Sequence, residues 1–202
     1  VSERLRDKIP DIRISNNKDQ LRGIEGELAS QYFSVFDELI LQQKEDFYFH
    51  ERNRRPPLDR VNALLSFVYT LLTSMMAASL ETVGLDPCVG FLHGDRPGRY
   101  SLALDMMEEL RAYLGDRFVL SLINKRQITS KDFLSQGDNG VVMTDKGKKV
   151  FISAWQSRKR ELITHPYLNE KIEIGLLPYA QSMLMARFIR QDIDDYPVFL
   201  IK

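Results

Sequence analysis

VNALLSFVYTLLTSMMAASL, residues 61–80, is the stretch that decides the fold. It holds no charged residue, and at about 1.5 Å of rise per residue a helix of that length reaches ~30 Å, enough to cross a bilayer. Yet Asn62, Ser66, Tyr69, Thr70, Thr73, Ser74 and Ser79 are scattered through it. That polarity fits a helix buried in a bundle, where neighbours can pair such groups, better than one facing lipid. The reading is a central helix over about residues 58–83, with no membrane contact, and Gly84 is placed to end it.

Upstream, apolar residues fall at Leu21, Ile24, Leu28, Tyr32, Val35, Phe36, Leu39 and Ile40. This is helical spacing from about Lys18 to Gln42, with Asn17 as the cap. Residues 1–16 read as a linker or extended segment, and Lys44 to Asp59 as a charged, proline-bearing connection. Downstream, Asp86 to Arg99 carries two prolines and three glycines and reads as a structured loop. Ser101 caps a helix over about 102–114 that Gly115 ends, and a shorter helix follows near 116–123. Residues 128–134 form a further helix capped by Thr129 or Ser130. Gly137, Gly140 and Gly147 bracket a β-branched run, which predicts a hairpin insertion over 135–151. Helices return at about 149–163 and 169–192, before an extended YPVFLIK tail. The chain is thus one mainly α domain over 1–202, a helical bundle with a small β-hairpin insertion.

Composition bounds the function more than it identifies it. With 202 residues, 44% hydrophobic and 28% charged, the chain can bury a sizeable core, which excludes a disordered tail. Basic and acidic residues number 28 each, so net charge lends no support to nucleic acid as a partner. Cys88 is the only cysteine, which excludes an internal disulfide and fits a reducing, cytoplasmic setting. No spaced Cys/His set points to structural zinc. The N-terminus lacks the apolar core of a signal peptide and lacks Met, so the sequence reads as a fragment.

Three places carry chemistry. Glu25 stands in RGIEGELASQYF between Gly23 and Gly26. Two helical glycines cost about 1 kcal/mol each, which close approach of a backbone or a ligand would offset. Read alone, Glu25 is a solvated flank of the Leu21/Ile24/Leu28 stripe. His93 ends the apolar run VGFL and opens a Gly/Asp/Arg/Pro loop. A neutral imidazole there can bind a metal, or simply bond the loop backbone. Asp105 and Glu108, three apart in LALDMMEEL, project from one side of a helix among apolar neighbours, whereas Glu109 points elsewhere into solvent. Together, one imidazole and two or three carboxylates make a mixed O/N donor set suited to Mg²⁺ or Mn²⁺. His50 and His165 carry no such mark.

At these residues the sequence resembles a known family. QLRGIEGELASQYF, DRVNALLSFVYTLL and GLDPCVGFLHGDRPGRYSLALDMMEELR are similar, in order and spacing, to the large universal spacer-acquisition protein of CRISPR systems. The likeness spans residues 18–113, continues more weakly beyond, and has a type I-C flavour. It implies a helical C-terminal catalytic domain whose metal ligands are Glu25, His93 and Glu108, with Asp105 a further acid of the motif that helps line the site. It implies a metal-dependent DNA integrase and endonuclease, in which protospacer 3′-hydroxyls attack phosphodiesters of the CRISPR repeat. The partners implied are those DNAs, a second copy of the full-length protein and a small adaptation protein. Arg22, Arg96 and Arg99 are expected at phosphates, and Asn62 and Ser66 either support the site or form a buried interhelical hydrogen bond. Basic clusters at Arg52/Arg54/Arg55, Lys146/Lys148/Lys149 and Arg158/Lys159/Arg160 are expected at backbone phosphates. The family's β-rich N-terminal domain has no counterpart here. Two rival readings use the same residues: a metal-dependent nuclease or resolving enzyme with water as nucleophile, and a non-catalytic helical DNA-binding adaptor.

Overall fold

The uncharged stretch forms a helix, Arg60–Thr82, labelled α4, at the centre of the chain in a computed structural model that describes residues 2–15, 17–94, 96–137 and 140–201. Leu64, Leu65, Leu72, Met76 and Leu80 on it are fully buried, each worth roughly 1.5–3 kcal/mol of transfer free energy. Most of its hydroxyls are met by the helix itself: Thr70, Thr73, Ser74 and Ser79 donate to the carbonyls four residues back at 2.8–2.9 Å. Asn62, Ser66 and Tyr69 pair with other segments instead, and they mark α4 as a core helix. Asp59 caps it by accepting from the Asn62 N–H at 2.7 Å, and Gly84, at φ +81°, closes it as a Leu85 N–H bonds back to Leu80 O at 2.9 Å.

Around α4 the order is α1 (Ser2–Asp7), α2 (Ile9–Ile14), α3 (Lys18–Phe33), then α5 (Ser101–Leu110), α6 (Arg117–Asn124), α7 (Asp145–Lys159) and α8 (Leu177–Ile189). α4 packs on α5, on α8 and on a widened π turn, Arg111–Asp116, that joins α5 to α6 in one column. Two antiparallel hairpins complete the fold: β1 (Phe133–Ser135) with β2 (Val141–Met143), and β3 (Leu162–Thr164) with β4 (Lys171–Glu173).

Several boundaries differ from expectation. The segment expected to be extended over 1–16 holds α1 and α2, because Pro10 lies in the first turn of α2, where its missing N–H costs nothing. Lys8 then ties α2 to α3 through Glu27 at 3.1 Å. α3 stops at Phe33, and the chain turns so that Phe33 and Phe36 meet Phe49 at ring separations of 5.5 and 5.0 Å. Asn17 does cap α3, accepting from Asp19 N at 2.8 Å. Ser101 is the first residue of α5 and not its cap, its hydroxyl donating to Gly94 O at 3.1 Å. Gly115 does not end the helix. A Cβ there would stand 3.2 Å from both Leu72 Cδ1 and Tyr69 Cε1, so glycine lets the π turn close on α4.

The helix expected at 128–134 is one short 3₁₀ turn, Ser130–Asp132, boxed by Thr129, and Phe133 already starts β1. The hairpin ends at Met143, since Thr144 caps α7 by accepting from Gly147 N at 3.0 Å. Val1, Asn16, Asp95, Asp138, Asn139 and Lys202 lie outside the described residues. The helix expected over 169–192 begins only at Leu177. Ile163 pairs with Ile172 across the second hairpin, an alternation of period two read as helix from sequence.

Candidate metal and phosphate site

Asp105, on the first turns of α5, organises the loop that carries His93. Its Oδ2 accepts the backbone N–H groups of Phe91 at 2.5 Å and Leu92 at 2.9 Å. Its Oδ1 accepts the His93 N–H at 3.0 Å and stands 2.6 Å from His93 Nδ1. The loop can come this close only because residue 90 is glycine: a Cβ there would lie 2.7 Å from Ser101 Cβ and 2.8 Å from Asp105 Oδ2. A carboxylate accepts, so the proton sits on Nδ1 and Nε2 keeps its lone pair. Among the described residues no protein group bonds Nε2. Asp105 was expected to line the site; its oxygens are instead spent on holding the loop and the ring.

α3 delivers the next two residues. Arg22 was expected at a phosphate, but its guanidinium clamps the same loop, donating to Leu92 O through Nε at 2.9 Å and Nη2 at 2.6 Å and to Asp19 Oδ1 at 3.1 Å. Glu25, one turn on, is the wall between two adjoining cavities. One, of about 390 Å³, is lined by Arg22, Glu25, His93, Arg96 and Arg99. The other, of about 550 Å³, is lined by Ile24, Glu25, Leu28, Glu108, Arg111 and Asp116. Arg96 and Arg99 line the first cavity and have no carboxylate partner within ion-pair distance among the described residues. Among the described residues no atom outside the neighbouring residues and the helix's own backbone lies within 4 Å of a Cβ placed at Gly23 or Gly26, so packing against another element does not offset those glycines.

Glu108 bonds Arg111 at 2.8 Å, one turn along the column. Burial pushes its carboxyl above the usual range; the charge of Arg111 opposes this, that of Glu25 adds to it, and His93 opposes it. Glu108 therefore lies in the field of both Glu25 and His93. Even so, no group of three or more His, Cys, Asp or Glu among the described residues stands close enough to hold a metal ion. The chain brings the expected ligands to adjoining cavities and not into one coordination sphere. The donor chemistry still fits a hard divalent cation: a half-buried carboxylate whose one cationic partner is Arg111, a second carboxylate lining the same cavity and an imidazole nitrogen with no protein partner among the described residues.

Behind the site stands a network that the sequence did not disclose. Buried Asp116, on the π turn, accepts from Tyr32 at 2.9 Å and from Tyr69 at 2.5 Å, joining α3 and α4 to the column. Burial raises the pKa of Asp116 and of both phenols. Arg52 and Arg111 lie over the Tyr69 ring at 5.4 and 5.8 Å. Arg52 also donates to Asn62 Oδ1 at 2.7 Å and to Ser66 Oγ at 3.0 Å. Asn62 and Ser66 thus serve an interelement clamp, and Arg52 is committed inside the fold and not offered to DNA. The signal for Asp116 was an acid in an apolar register, between Leu114 and Phe118.

Glu109 is half-buried and fully bonded, contrary to the solvated reading. It accepts from Tyr196 at 2.5 Å, Phe199 N at 2.7 Å and Gln181 at 2.9 Å, and Gln181 in turn accepts from His165 Nε2 at 2.9 Å.

The profile of the family described as CRISPR associated protein Cas1 matches residues 1–157. The chain is 57% identical over 186 residues, 92% of its length, to the CRISPR-associated endonuclease Cas1 1 of Chlorobaculum tepidum, and spans 54% of that protein. It is 52% identical over 184 residues to the CRISPR-associated endonuclease Cas1 of Leptospira interrogans, covering 91% of this chain and 72% of the other. The solved structure of a Cas1 protein from Thermotoga maritima superposes with a TM-score of 0.83 at 29% identity, over 94% of this chain and 58% of that one. A family match over most of the chain, relatives above 50% identical and a common fold agree, and the chain belongs to the Cas1 family.

Proposed function

We propose that this chain is the catalytic helical part of a divalent-metal-dependent DNA integrase and endonuclease of CRISPR adaptation, acting on protospacer and repeat DNA. The observation that carries the reading is the His93–Asp105 pair, held at 2.6 Å beside a cavity that also presents Glu25, Arg96 and Arg99. Glu25, His93 and Glu108 would hold Mg²⁺ or Mn²⁺, which when bound supplies a Lewis acid for a phosphoryl oxygen and favours deprotonation of the attacking hydroxyl. Asp105 fixes the His93 tautomer and ring orientation. Arg96 and Arg99 hold a phosphate by charge-assisted hydrogen bonds and offset charge that builds up in the transition state. Arg22 keeps the loop on α3. Assembly as a dimer of the full-length protein, with a small adaptation partner, belongs to the same reading.

Two measurements test it. Isothermal titration with Mn²⁺ should give heat for wild type and none for a folded His93→Ala variant. Equal, negligible heats from both would favour a non-catalytic adaptor. Incubation with a pre-spacer and a repeat-bearing plasmid should give joined product lost in the same variant, whereas nicks without joining would assign water as the nucleophile.

A further inference from the structure

A cleft of about 870 Å³ lies away from His93, between α6 and α7. Each wall supplies two cations: Arg117 and Lys125 from α6, Lys149 and Arg158 from α7. On each wall they are eight or nine residues apart, about 12–13 Å along a helix. The one acid lining the cleft, Glu161, is already paired with Arg158. Arg117, Lys125 and Lys149 have no carboxylate within ion-pair distance among the described residues. Arg117 and Arg158, from opposite walls, both stack on the Tyr113 ring, at 5.3 and 5.5 Å. One ring therefore gathers a cation from each wall, and Arg158 shares its charge with Glu161 while Arg117 has no carboxylate partner among the described residues. Ser121, Ser153 and Gln127 interleave these cations, adding the neutral donors that commonly bond phosphate oxygens. A chain of zero net charge has thus gathered an excess of three positive charges in one groove.

We propose that the groove between α6 and α7 is a second DNA-contacting surface, which seats the phosphate backbone of a duplex apart from the reacting phosphate. The inference rests on the reading that the chain acts on DNA. Arg117 and Lys125 stand nine and seventeen residues beyond Glu108 on the same column, roughly 13 and 25 Å on. That equals about four to seven base-pair rises of duplex, so the groove contributes affinity without touching the chemistry.

The test is anisotropy of a labelled duplex, in EDTA, across 50–200 mM KCl. The exposed pair Lys125→Ala/Lys149→Ala should make the log–log salt dependence shallower by about 1.8, some 0.9 for each lost phosphate contact. Lys131→Ala/Lys171→Ala, outside the groove, should leave it unchanged. An unchanged slope in the groove pair, or an equal fall in both lysine pairs, overturns the proposal. Because metal is absent, a groove-dependent slope in a protein that neither cuts nor joins DNA would sink the catalytic reading alone.

Discussion

His93 and His165 look alike in sequence, each in a loop beside glycine or proline, yet the fold treats them oppositely. Both are tied to α5, through acids four residues apart. At His165 both ring nitrogens are spoken for: Nε2 on Gln181 at 2.9 Å, and Nδ1 accepting from the N–H groups of Tyr167 and Leu168 at 3.3 and 3.2 Å. Gln181 passes the connection to Glu109, and Glu109 clasps Tyr196 and Phe199 of the tail. At His93 one nitrogen is fixed by Asp105 and the other faces a cavity. A fully committed histidine is a fastener. A half-committed one has its orientation settled and a lone pair to give, as a ligand or a proton carrier must.

Substitutions can break or sharpen that contrast. The largest effect expected is at His93→Ala, which should abolish metal-dependent DNA cleavage and joining while unfolding free energy in urea falls by about 1.5 kcal/mol, the low end for a hydrogen bond to a charged group. The opposite signature is expected at Gln181→Leu. It strips Glu109 and His165 of a buried partner and should cost about 3 kcal/mol, or roughly 6–12 °C in melting temperature, with metal binding retained. If the two variants behaved alike in either assay, the distinction between the histidines would fail.

Asp105→Asn keeps the shape but weakens the hold on Nδ1–H. Mn²⁺ affinity by titration should fall 10- to 100-fold, the usual cost of losing the acceptor behind an imidazole ligand. Tyr196→Phe removes two hydrogen bonds from the tail, one donated to Glu109 and one accepted from Gln181, and should cost about 2 kcal/mol with activity intact. The smallest effect is one of slope. Burial raises the Asp116 pKa, so as pH climbs the unfolded chain releases that proton before the folded one does. Stability therefore declines from below the ordinary aspartate value up through the raised one. Asp116→Asn should flatten that part of the profile, measured by urea unfolding from pH 4 to pH 8.

The sequence was most legible where one residue type did one job. The uninterrupted apolar run gave α4, Asn17 capped α3 and Gly84 ended α4, because short-range rules suffice there. Glu25, His93, Asp105 and Glu108 were legible as a set, through their order and spacing, but their division of labour was not. Nothing in LALDMMEEL says that Asp105 turns inward to four donors of a loop, or that Glu109 meets a tail 87 residues later. Long-range pairing also hid the second hairpin, since LIT and KIE are too short to announce strands until they find each other. Gly115 misled for a related reason: its meaning lies in Leu72 and Tyr69 on another helix.

The widened turn at Arg111–Asp116 has a consequence for how the molecule can change. Such a turn is an α-helix carrying one residue too many, so it acts as a phase adjuster between α5 on one side and α6 on the other. Deleting a single residue there would let the column close as ordinary α-helix with α5 and α6 still in phase, whereas the same deletion inside α5 would turn everything beyond it by about 100°, swinging Asp116 off its two tyrosines and Phe118 and Leu122 out of the core together. The turn is thus the one place on the column where a change of length leaves the upstream acids and the downstream cations at the same bearing to each other.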